Sequence, residues 1–183
     1  MVKNEELDLY RKMKLWINEV PDDCKNVEEG DTYVYNANKD ITWFNGTLCL
    51  ELRIAPRAAS NYAMLNFKFT QDDSGFFKIL YMQSKEDRIV ISDIATQKDI
   101  VSNGIVKKYY ETLIQMFDEL SMQEIFPSGT LEILGGRYGF IGSSNMAVII
   151  VAKILITIFE LGEKFEESDI KAIILEGCKC KVK

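Results

Sequence analysis

The chain has 183 residues, 47% of them hydrophobic and 27% charged, with a formal net charge of -6 and a pI near 4.9. That length suits one domain with a sizeable core, and the acidic balance argues against a large basic surface for DNA or RNA. Histidine is absent, so Ser-His and Cys-His nucleophile pairs and imidazole bases are excluded. The four cysteines, Cys24, Cys49, Cys178 and Cys180, have no zinc-site spacing and read as free thiols. No catalytic residue and no metal site is assigned, and enzymatic activity is not the expectation. The opening Met-Val-Lys-Asn-Glu-Glu-Leu-Asp lacks the apolar stretch of a secretory signal. The most apolar run, Met146 to Phe159, is too short to span a bilayer and carries Lys153. A cytoplasmic protein with no membrane partner is expected.

Taken in order, residues 4–20 read as a helix, with Asn4 as cap, Pro21 as stop, and Leu9, Met13, Trp16 and Val20 on one face. Leu9, Met13 and Trp16 are therefore candidate partner-binding residues. Residues 21–40 are polar and turn-rich, with a short strand candidate at 32–35. Residues 1–40 thus form an N-terminal helix and connection ahead of a single two-layer α+β domain over 41–183. Period-two segments follow at 47–54, 62–70, 76–83 and 88–92, and the short polar turns between them predict an antiparallel meander. Asp72, Asp73, Asp93 and Asp99 read as solvated turn residues.

A helix is predicted over 105–120, a short strand over 130–134, and a core helix after Ser144. In that core helix only Lys153, Thr157 and Glu160 break an apolar surface, forming one narrow polar stripe. A last helix starts near Glu167 or Ser168 and ends at Gly177. The order α-β-β-β-β-α-β-α-α implies an α+β two-layer sandwich, a mostly antiparallel sheet with helices on one face.

The segment Gly135-Gly-Arg-Tyr-Gly-Phe-Ile-Gly-Ser-Ser-Asn145 is where chemistry is most readable. A glycine-rich turn entering a helix suits an anion, since backbone N–H groups point outward and the helix dipole favours negative charge. The same serines also suit plain helix capping. Gly139, Gly142, Ser143 and Ser144 are the candidate phosphate-binding residues. There is no Walker A Gly-Lys-Ser/Thr and no Gly-x-Gly-x-x-Gly.

Phe140-Ile-Gly-Ser-Ser-Asn-Met-Ala-Val, with the helix behind it, resembles the Gly-Leu-Gly-Ser-Ser-Ala-Ala motif of the GHMP small-molecule kinases. Gly135 to Ala147 is also similar to the Asp-Gly-Ser-Tyr-His-x-Val-Asp-Ser-Ser-x-x-Ala stretch in domain IV of translation elongation factor G. Both resemblances imply one two-layer fold of three strands, helix, strand, helix. The kinase resemblance implies that Gly142, Ser143 and Ser144 hold the phosphates of magnesium-ATP. The family's catalytic aspartate lies in a domain beyond this motif, so catalysis would need a second chain. The expected function is a stand-alone non-catalytic binding module acting through protein–protein contacts, as regulator, inhibitor or subunit, with another protein or a homo-oligomer as partner. The alternative is a nucleotide- or phosphate-binding protein related to GHMP kinases.

Overall fold

Alternating side chains rather than helical periodicity organise the first part of the chain. The computed structural model describes residues 2–7, 11–24, 27–54, 61–84, 88–96, 98–163 and 166–178. Within them β1 (Val2–Glu6) and β2 (Arg11–Ile17) form an antiparallel hairpin. This replaces the helix expected over 4–20. Two patterns coexist there, Met13 and Trp16 at helical spacing and Met13, Leu15 and Ile17 at period two. Pairing of β2 with β4 (Gly46–Ile54) selects the second. Met13, Leu15 and Ile17 are buried in the main core, and Trp16 turns to the opposite face. Across the hairpin Lys12 bridges Glu6, and its ammonium holds the exposed Glu6 carboxyl below the usual carboxylate range. The described residues among the first forty therefore contribute the strands β1 and β2, and Val27–Asn36, to the common sheet in place of the expected helix and connection.

The remaining elements are β3 (Val27–Asn36), β5 (Asn61–Gln71), β6 (Phe76–Ser84), β7 (Ile89–Val90), β8 (Val101–Asn103), α1 (Lys107–Ser121), β9 (Gly129–Gly139), α2 (Asn145–Glu160) and α3 (Glu167–Gly177). Strands run in the order β1-β2-β4-β5-β9-β6-β3, with β8 on β9 and β7 on β8. All pairings are antiparallel except β6 with β9. The architecture is α+β with a mostly antiparallel mixed sheet, but the meander is corrected. β5 and β6 do not pair, because β9 lies between them. Their connection must therefore cross two strand spacings, about 10 Å. It does so around Ser128, whose backbone oxygen accepts the Asp72 N–H while its hydroxyl donates to the Asp72 carboxylate and accepts the Gly75 N–H. The Ser74 hydroxyl first, then the Ser74 N–H, and to a lesser extent the Ser128 hydroxyl, hold the Asp72 carboxyl below its usual value.

The helices cover one face of the sheet. Leu48, Leu50, Leu52, Ala63, Leu65, Phe67, Phe69, Leu131 and Ile133 meet α1, α2 and α3 in one apolar cluster. Trp43 sits inside it among Phe69, Phe77, Phe126 and Phe159. Helix α2 follows the expectation closely, with Lys153, Thr157 and Glu160 exposed and nearly all else buried. No helix among the described residues is long and apolar enough to cross a membrane.

The second face of the sheet is covered differently. A 3-10 turn (Asp22–Cys24) lies over Trp16, Cys49 and Met64, and the segment between β7 and β8 brings Ile94 against Tyr62 and Val101. Cys24 and Cys49 are buried there, and the Cys24 thiol donates to the Asn103 side chain.

Candidate functional site

A bulge in β9 creates the site. The expected strand over 130–134 continues to Gly139, so Gly135 and Gly136 belong to the strand and not to a turn. Between the pairs Leu65–Gly136 and Phe67–Ile133 strand β9 carries one extra residue. Gly135 adopts φ +106 at that point, a conformation that favours glycine. A Cβ on Gly136 would come 2.0 Å from the Met64 carbonyl oxygen, so the close strand approach also needs glycine. One extra residue reverses the alternation. Arg137, which would otherwise face the helices, is placed opposite Met64 on the second face.

There its guanidinium lies 3.6 Å from the Glu51 carboxylate, with both side chains nearly out of solvent. The same Glu51 oxygen accepts the Tyr62 and Ser92 hydroxyls, each at 2.6 Å. Burial first, and the Glu51 carboxylate second, push the Tyr62 phenol well above its ordinary value. A carboxylate, a guanidinium, a phenol and a hydroxyl are thus brought together from β4, β9, β5 and the segment after β7. The sequence reading missed this cluster because its members are distant in the chain.

Past the bulge, the turn from Gly139 to Ser144 is tied down by its own polar groups. The Ser143 hydroxyl accepts the Gly139 N–H at 2.7 Å and donates to the Tyr62 carbonyl at 2.6 Å. The Gly142 carbonyl accepts the Tyr62 N–H at 2.9 Å. Ser144 caps α2 by accepting the Ala147 N–H at 3.2 Å, and its hydroxyl donates to Asn61. The backbone N–H groups of Ile141 and Gly142, those best placed to hold an anion, donate to the two oxygens of Asp99 at 3.0 and 2.9 Å. Asp99, read from the sequence as solvated, is in fact bound into the turn. Gly139, Gly142, Ser143 and Ser144 therefore lie in one turn, each already committed to a bond within the chain.

The candidate partner-binding residues do not form a shared face. Met13 is buried under the helices and Trp16 on the opposite side of the sheet, 2% and 7% exposed, with Lys14 over the Trp16 ring. Leu9 lies outside the described residues. Exposed apolar surface gathers elsewhere. Ile91 and Ile100 follow outward from the Val90–Val101 pair of β7 and β8, and the Phe140 N–H donates to the Ile100 carbonyl. Ile91, Ile100 and Phe140 continue the paired ends of β7, β8 and β9 in a row, Ile141 follows in the chain, and the four are 94%, 53%, 62% and 76% exposed. Phe140 leans on Tyr138 with ring centroids 5.5 Å apart. Among the described residues no three His, Cys, Asp or Glu gather to hold a metal ion.

No protein-family model, curated protein or solved structure matches the chain. Fold and site define an α+β protein with a mostly antiparallel mixed sheet, a self-satisfied glycine-serine turn and an uncovered apolar row next to it.

Proposed function

We propose that this chain is a non-catalytic binding module acting through protein–protein contacts, as subunit, regulator or inhibitor, and that the row Ile91, Ile100, Phe140 and Ile141 is its contact surface. The observation that carries this reading is the exposure of those four large apolar side chains on adjacent strand ends. Scattered apolar residues need no explanation, whereas a contiguous group marks an interaction site. Phe140 is the natural anchor, since aromatic side chains dominate binding energy when a partner encloses them. The polar groups of the neighbouring turn are engaged within the chain, which leaves the apolar row as its outward feature.

Phe140→Asp and Ile100→Asp test this, because both side chains lie on the surface and the fold should survive. Expressed at native level, the unmodified chain should sediment as part of a larger complex, and each variant should shift towards the monomer with an unchanged melting temperature. An unmodified chain that already sediments as a monomer would end the reading.

The alternative is a phosphate or nucleotide binder related to the GHMP kinases, completed by a second chain and using magnesium-ATP. With β7 and β8, which stand between β6 and α1, taken as an insertion, the order β4, β5, β6, α1, β9, α2 supports it by supplying three strands, helix, strand and helix with the turn at the head of α2. It requires the Ile141 and Gly142 N–H groups to become available.

A further inference from the structure

The sheet ends on β3, which among the described residues pairs with β6 alone. An edge strand is a template for a further strand unless charge, proline or a bulge blunts it. At the other end of the strand order, β1 is blunted by its charged sequence, Val-Lys-Asn-Glu-Glu. In β3 the exposed Glu28 and Asp31 and the bulge between Glu29 and Thr32 do the same for the first half. The second half, Thr32-Tyr-Val-Tyr-Asn36, has no charge, proline or glycine, and Thr, Tyr and Val favour strands. It is also held in place. Tyr33 rests on Tyr110 and Tyr35 on Phe126, and the Tyr35 hydroxyl donates to Asp118 at 2.8 Å. The Ala37 N–H donates to the Gly75 carbonyl, which fixes the phase of the ladder. Alternation then turns the backbone groups of Tyr35 and Tyr33 towards β6 and those of Thr32, Val34 and Asn36 outward. The side chains of these three are exposed, Val34 by 57%.

We propose that this edge pairs with the same edge of a second copy of the chain, antiparallel about a two-fold axis at Val34. The segment is self-complementary in that register. Val34 meets its own counterpart, Tyr33 meets Tyr35, and Thr32 meets Asn36, so aliphatic, aromatic and polar side chains each face their own kind. All three outward residues are used, which gives about six backbone hydrogen bonds between the copies. A two-fold contact of this sort closes at two chains. The antiparallel sense also sets the acidic Asp31 end of each strand against the end that leads to Lys39, so opposite charges approach. The dimer goes beyond the binding-module reading and uses none of the apolar row, which lies at the ends of β7, β8 and β9. A contact this small is weak, so the dimer forms at micromolar concentration and separates on dilution.

Sedimentation velocity of the purified full chain, from nanomolar to about 100 μM, tests this. The unmodified chain should pass from monomer to dimer across that range. Val34→Lys, which sets two ammonium groups directly opposite each other, should stay monomeric throughout with an unchanged melting temperature. Thr157→Lys, on the exposed stripe of α2, should dimerise like the unmodified chain. Cysteine substitution reads the register. Directly opposed residues in this pairing lie about 5.5 Å apart at Cα, within disulfide reach. Oxidised with diamide, Val34→Cys should therefore give a linked dimer beyond any background from the unmodified chain. Thr32→Cys and Asn36→Cys should each give only background alone, and a linked dimer when mixed. Should Val34→Lys fail to fold, the cysteine pattern alone decides. A chain that is monomeric at every concentration, a dimer that folded Val34→Lys leaves intact, or assembly beyond two copies overturns the proposal. So does Val34→Cys linkage no greater than the background.

Discussion

Glu51 and Arg137 should stabilise the fold as a pair, and the size of that coupling follows from their geometry. Glu51→Gln keeps the shape and the oxygen that accepts from Tyr62 and Ser92, but removes the negative charge facing Arg137 at 3.6 Å. Arg137→Met keeps most of the stem and removes the guanidinium. At 3.6 Å and an effective dielectric of about 20, the attraction is ~4–5 kcal/mol before desolvation is subtracted. Removing one member of a buried pair costs about 3–5 kcal/mol, because the other charge loses its counterpart. Each single variant should therefore melt roughly 10 °C lower. The double variant removes both desolvation penalties at once, so it should be less destabilised than the sum of the singles by about 2–3 kcal/mol. Urea unfolding reads this directly, as changes in midpoint at constant slope. Additivity of the two single effects to within ~0.5 kcal/mol would show that the charges do not act as a unit. It would also refute the role given to the β9 bulge in presenting Arg137 to Glu51.

Ser144→Ala should cost about 1 kcal/mol through loss of the α2 cap, a fall of ~2–4 °C in melting temperature. On the binding-module reading, millimolar magnesium-ATP should leave the melting temperature of the unmodified chain unchanged. A rise of ~5–10 °C that Ser144→Ala abolishes would favour the kinase-related alternative instead. Tyr62 should make the fold sensitive to alkali. Its phenol is raised in the folded chain, so its contribution is complete below the unfolded value near pH 10 and is lost as pH rises through the folded value. Tyr62→Phe should be less stable than the unmodified chain at pH 8, and the gap should shrink by about 1.4 kcal/mol by pH 11. A gap that stays constant between those pH values would mean that Tyr62 ionises equally in both states.

Local signals carried most of the secondary structure. The three helices, β4, β5 and β6 could be read from period and caps, because α2 needs only its Ser144 cap and its polar stripe to be placed. What escaped is non-local. Nothing near Gln71 announces that β9, some sixty residues later, will separate β5 from β6, since the 71–75 turn has the residues of an ordinary hairpin. Met13 and Trp16 satisfy a helix and a strand equally well until β4 is there to pair with β2. Gly135-Gly136 signals a special backbone in either reading, and only the register with β5 tells a bulge from a turn. At the site, Ser144 as a cap was legible from residue type. The partners of Ser143 and of the Ile141 and Gly142 amides were not, because Tyr62 and Asp99 lie 81 and 42 or 43 residues away. Nor does apolar character reveal exposure, so Phe140 and Ile141 looked like ordinary residues of a turn.

The proposal that this chain works by protein contact is tested most directly by placing a photo-crosslinking amino acid, one at a time, at Phe140, Ile91 and Met122 in the native cell. Met122 is as solvent-exposed, at 84%, but lies at the far end of α1. Adducts of one discrete mass at Phe140 and Ile91, with none at Met122, are the expected outcome. No adduct at Phe140 and Ile91, or the same adducts at all three positions, would contradict the proposal.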